Sequence, residues 1–173
     1  MMLHYLQAFV FSFLATVAFG VLFQGPKRIL WRSGIIGALG WVVFIGLKEL
    51  FSVHSFSANF LAAVLVALAS EMSARAWKEP STAFEIPAIV PLVPGFGMYR
   101  GMTLILQDYV SYGSEVLLGA AMDACAIALG IMMVSGVFRA LKTGSDMARQ
   151  RQQDLLGTDV SPDLYVADPE EEE

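Results

Sequence analysis

Glu85-Ile-Pro-Ala-Ile-Val-Pro-Leu-Val-Pro-Gly-Phe-Gly-Met-Tyr-Arg-Gly101 is apolar enough to enter a membrane, yet it holds three prolines, three glycines and an arginine. Pro87, Pro91 and Pro94 each lack an N–H and crowd the carbonyl four residues back. In hydrocarbon, backbone groups freed in this way are tolerated only where protein buries them or where they line a wet cavity. A helix that merely anchors has no use for such a stretch. It predicts a span broken by Pro and Gly, serving either as a tightly packed kink or as a permeation site.

Outward from this segment the chain is equally apolar. Mean hydropathy is +0.60, and 56% of the 173 residues are hydrophobic. No Lys, Arg, Asp or Glu occurs in residues 1–26 or from Leu50 to Ser70. A crossing needs roughly 20 apolar residues, and five runs qualify: about 3–23, 33–51, 58–77, 86–107 and 115–138. The expected fold is an all-α integral membrane domain over residues 1–142 with five transmembrane helices, the fourth broken. Residues 143–173 read as a polar, acidic cytoplasmic tail, largely disordered. That tail distorts the net charge of −5, because eight of the 16 acidic residues lie from Asp154 onward. No room is left for a soluble catalytic domain.

Orientation follows from the basic residues. Lys27, Arg28 and Arg32 follow the first span, Arg75 and Lys78 follow the third, and Arg139, Lys142, Arg149 and Arg151 follow the fifth. The loops Ser52 to Ser57 and Asp108 to Ser114 contain neither Lys nor Arg. The amino terminus is therefore expected outside and the carboxyl terminus inside. The first span lacks a preceding basic region and reads as a retained helix rather than a signal peptide. An odd number of spans fits a unit that pairs with a second half, as many transporters do; no internal repeat supplies that half here.

Small residues recur at helical spacing: Gly34, Gly37 and Gly40, then Ala63 and Ala67, then Ala120, Ala124 and Ala128. They predict close helix contacts within the bundle. Cys125 is the single cysteine, which excludes a disulfide and reads as a small packing residue. His4 and His54 have no second ligand near them in sequence, so no metal and no cofactor is expected. Paired intramembrane histidines, Gly-x-Ser-x-Gly and Asp-rich metal motifs are missing, which argues against an enzyme.

Charges inside spans are costly and face protein or water. Lys48 and Glu49 lie near the outer end of span two and read as snorkelling, structural residues. Glu71 and Arg75 stand i, i+4 near the inner end of span three, a local pairing. Arg100 lies 11 residues before Ser111 and Asp123 lies 11 after Tyr112. With an outer turn at Ser111 and Tyr112, both come to roughly 10–15 Å below the interface. There they serve as a structural ion pair or as a solute or proton site. Arg100 would grip a carboxylate. Carbonyls of Pro87 and Val90 would be free acceptors, Gly95 and Gly97 would admit a ligand to the backbone, Tyr99 would form a wall, and Asp123 would take a cationic group. Pro91, Pro94, Gly95, Gly97, Tyr99, Arg100 and Asp123 are the candidate substrate-binding residues, for an amino acid or a dicarboxylate.

Ile89-Val-Pro-Leu-Val-Pro-Gly-Phe-Gly-Met-Tyr-Arg-Gly-Met102 resembles the hallmark of the threonine/serine exporter family, in its small C-terminal half, through Pro91, Pro94, Gly95, Tyr99 and Met102. Gly34-Ile-Ile-Gly-Ala-Leu-Gly-Trp41 is similar to the family as well, and the likeness covers roughly residues 5–140. Arg100 and Asp123 stand outside it, and their roles rest on the hairpin geometry. The resemblance implies export of threonine, serine or a dicarboxylate such as succinate across a bacterial cell membrane, driven by the proton gradient. It also implies a hetero-oligomer with a larger exporter subunit, alongside membrane lipid and any further copies of this chain, with no nucleic acid. The competing reading is a structural subunit that packs against a transporting partner without binding solute.

Overall fold

The computed structural model describes residues 2–155, all of whose regular structure is helical. In order, the helices are α1 (Met2–Leu22), α2 (Lys27–Phe51), α3 (Ser55–Trp77), α4 (Ser81–Ile89), α5 (Gly95–Leu106) and α6 (Val110–Leu155), with one 3-10 turn, Val90–Leu92, between α4 and α5. Four helices are long and apolar enough to cross a membrane, and a fifth span results if the bent α4–α5 pair is counted as one. The chain divides into two units between residues 136 and 137. Residues 143–155, read from sequence as part of a tail, are helical; residues 156–173 lie outside the described part.

Each turn between the long helices uses one left-handed residue outside glycine: Gln24, Ser52, Lys78 and Asp108. Such a residue closes a helix and lets following N–H groups reach its last carbonyls. Gly25 N–H donates to the Gly20 carbonyl at 2.9 Å, and Tyr109 N–H donates to that of Leu104 at 3.0 Å. The connections are therefore short.

The core lies among α2, α3 and α4, around Ile36, Ala62, Ala63, Val66, Phe84, Ala88 and Leu92. The glycine stripe of α2 makes it dense. A methyl on Gly34 would meet Phe13 at 2.7 Å, and one on Gly37 would meet the Ala88 carbonyl oxygen at 3.0 Å and run into Thr16. One on Gly40 would run into Val66. Three successive glycines thus serve α1, α4 and α3 in turn, the close backbone approach on which packing in lipid depends.

The proline segment breaks as its sequence requires. Pro87 sits inside α4, Pro91 in the 3-10 turn and Pro94 immediately before α5, and the two helical pieces meet at a 44° bend. The carbonyls of Pro87 and Val90, expected to be free, are not. Val90 N–H donates to Pro87, and Val93 N–H donates to Val90 at 3.3 Å. Tightening from an i+4 to an i+3 pattern brings the next available N–H within reach of each orphan oxygen.

Candidate functional site

Beside this break lies a cavity of about 420 Å³ within the first unit, lined from four helices. Trp41, Phe44 and Lys48 supply the α2 wall, spaced i, i+3, i+7 on one face. Asn59 enters from α3. Leu92, Val93, Pro94, Phe96 and Gly97 come from the break and α5, and Val116, Gly119, Ala120 and Asp123 form one stripe of α6. The volume lies at the small end of the range of about 300–1,000 Å³ usual for small-molecule sites. Its walls are aromatic and aliphatic, with three polar side chains converging on the space.

Those three differ in character. Lys48 lies back along its own helix, its ammonium 5.6 Å from the centroid of the Phe44 ring. Helical side chains lean toward the N-terminus, so a residue near the end of α2 reaches inward over the turn before it. The ring face favours a cation there. Asn59, one turn into α3, is 2% exposed, and its Oδ1 has no hydrogen-bond partner. An amide oxygen left in that state costs about 1–3 kcal/mol. Asp123 is half-buried. No ion pair joins Lys48 to Asp123.

The candidates read from sequence separate into two groups. Pro94, Gly97 and Asp123 line the cavity. Pro91 lies in the 3-10 turn, Gly95 faces open space, and Tyr99 is 71% exposed; none of these lines it. Arg100 is exposed and forms no pair with Asp123. The reason is register. The α5–α6 hairpin turns at Gln107–Tyr109, not at Ser111 and Tyr112, because α6 already begins at Val110. A methyl on Gly97 would meet Ala120 at 3.2 Å, and one on Gly101 would meet Leu117 at 2.7 Å. Arg100 is thus level with about Leu117, and Asp123 lies roughly 9 Å further along the bundle.

Two site residues were missed by sequence reasoning. Lys48 reads from sequence as an interface residue, although its i+4 spacing from Phe44 and i+7 spacing from Trp41 place all three on one face. Asn59 is the single asparagine of the chain, and its position within a charge-free apolar run was the available signal. The Glu49 carboxylate accepts from Tyr5 Oη at 3.0 Å and lies 3.3 Å from His4 Nε2, tying α1 to α2. Cys125, expected to pack, is exposed. No cluster of metal-ligating side chains occurs among the described residues.

A second cavity, about 360 Å³, opens where α2 begins and α3 ends, between Arg28, Arg32, Trp77 and Glu79. The Arg32 guanidinium stacks 3.3 Å from the Trp77 ring centroid.

A sequence model of the threonine/serine exporter family matches residues 8–137, which include every residue lining the larger cavity. The chain belongs to the threonine/serine exporter family. It is 30% identical over 114 residues to a threonine/serine exporter of Corynebacterium glutamicum, a match covering 65% of this chain and 23% of that protein. It is 30% identical over 106 residues to an uncharacterized protein of Haemophilus influenzae, covering 61% of this chain and 35% of that one. The chain therefore spans about a quarter to a third of the length of these relatives. No solved structure matches. Family membership and the apolar helices together make this exporter-family chain a multi-pass membrane protein.

Proposed function

We propose that the chain is the solute-binding membrane component of a bacterial secondary exporter for threonine, serine or a closely related small solute. The observation that carries this reading is the cavity beside the broken helix, where Lys48, Asn59 and Asp123 converge on a space of about 420 Å³. Discontinuous helices that line a polar space are the usual form of transporter sites. The basic residues on alternate connections support five spans, with the amino end outside and the carboxyl end in the cytoplasm. On that orientation the cavity lies in the outer half of the bundle, and Arg32 with Trp31 and Trp77 meets the cytoplasmic membrane face.

The relatives carry two to three times more chain than is matched here, which supports a larger partner subunit. Coupling to protons calls for an acid inside the bundle. Glu85 on α4 is such a group, 7% exposed, with Oε1 lacking a partner and Glu71 as its charged neighbour.

The test is efflux of radiolabelled threonine and serine from cells that express the chain with and without the larger subunit. Asp123→Asn should abolish efflux while the protein still inserts, and a protonophore should halt the wild type. Full efflux by Asp123→Asn and by Lys48→Gln would instead make the chain a packing subunit whose partner holds the solute.

A further inference from the structure

The two charged side chains of the larger cavity come from different helices, Lys48 from α2 and Asp123 from α6, and they do not pair. Opposite charges that share an apolar-walled space without touching leave room for something between them. Lys48 is exposed and Asp123 half-buried, so each gains more from a partner of opposite sign at the cavity than in bulk water. A solute with separated opposite charges meets both demands at once. Asn59 offers a third contact: its Oδ1 is buried, lacks a partner and needs a donor. The Trp41 and Phe44 rings, 5.2 Å between centroids, pack together as the aromatic wall of the space.

We infer that this cavity selects zwitterions, Lys48 holding the solute carboxylate, Asp123 its ammonium group and Asn59 accepting a further N–H or O–H. The inference rests on the cavity being the solute site. It assigns Lys48 and Asp123 opposite halves of the recognition, and it excludes dicarboxylates. A second carboxylate would lie against Asp123, and such like-charge contacts are how sites reject wrong ligands. Lysine suits its half because it presents a compact point charge on a flexible stem, matched to a small solute rather than to a planar bidentate grip.

The experiment uses the full chain in lipid nanodiscs and measures binding of L-threonine, threonine amide, 3-hydroxybutyrate and succinate. Threonine amide keeps the ammonium and lacks the carboxylate; 3-hydroxybutyrate keeps the carboxylate and lacks the ammonium. The wild type should prefer threonine to either probe by about tenfold or more, the usual worth of one charged hydrogen-bonded contact. Asp123→Asn should erase the preference over 3-hydroxybutyrate and keep the preference over threonine amide. Lys48→Gln should do the reverse. Asp123→Glu, which keeps the charge, should retain both preferences, separating recognition from folding. Threonine binding with both preferences intact in both variants would overturn the charge assignment while leaving the site in place. Succinate bound as tightly as threonine would overturn the selectivity. No binding of any probe by the wild type would overturn the site itself, and the inference with it.

Discussion

Gly34, Gly37 and Gly40 of α2 and Gly119 at the cavity are the same residue put to opposite uses. Around Gly34, Gly37 and Gly40 a missing side chain is filled by a neighbouring helix; around Gly95 and Gly119 nothing lies within 4 Å. The first region is a solid, and its glycines exist so that backbones can touch. Gly119, in the second, keeps a space open beside Pro94 and Asp123. Stripes of small residues in membrane helices therefore carry two meanings, contact and room, and only the facing atoms tell them apart.

Substitution at Gly37 should give the largest effect. A methyl there meets Ala88 backbone atoms at 3.0 and 3.1 Å, which cannot swing aside as a side chain can. Gly37→Ala should cost about 1–3 kcal/mol as overpacking, and Gly37→Leu should prevent a stable fold. Thermal unfolding in detergent reads both. Unchanged melting of Gly37→Ala would break the contrast at its firmest point. A smaller effect is expected at Arg100, which is exposed and lies roughly 9 Å from the level of Asp123. Arg100→Ala should leave threonine affinity within about twofold, since exposed substitutions away from a site change little; a tenfold loss would bring Arg100 back into the site. The smallest effect on stability belongs to Gly119. Gly119→Ala should leave unfolding within about 0.5 kcal/mol, because the new methyl meets nothing. The same methyl enters the cavity, so solute affinity should fall while melting does not. Loss of stability at Gly119 equal to that at Gly37 would erase the distinction.

Much of the architecture was legible because it is written in neighbours along the chain. The apolar runs of about 3–23 and 58–77 lie within three residues of α1 and α3 at each end. The break at Pro91 and Pro94 follows from two missing N–H groups and needed no tertiary information. The family was legible in Pro91-Leu-Val-Pro-Gly95 and in the glycines of α2. The candidate site was legible only in part. Pro94, Gly97 and Asp123 reached the cavity, whereas Tyr99 and Arg100, a few residues along α5, did not. Moving the hairpin turn from Ser111 to Asp108 was enough to slide one helix past the other and leave Asp123 below Arg100. Asp108 takes a left-handed conformation that aspartate tolerates better than most residues, and its place beside Gln107 was the one local sign of the true turn.

By itself the sequence determined that this chain is helical and membrane-embedded, where its fourth span breaks, and which family it belongs to. Periodicity, hydropathy and proline stereochemistry act within a turn or two of each residue. Tertiary structure alone decided that Asp123 shares a cavity with Lys48 and Asn59 rather than facing Arg100. It also decided which glycines are packed and which are open. Such choices depend on the register between helices distant in sequence, which turn position and the facing side chains set together and no single helix encodes.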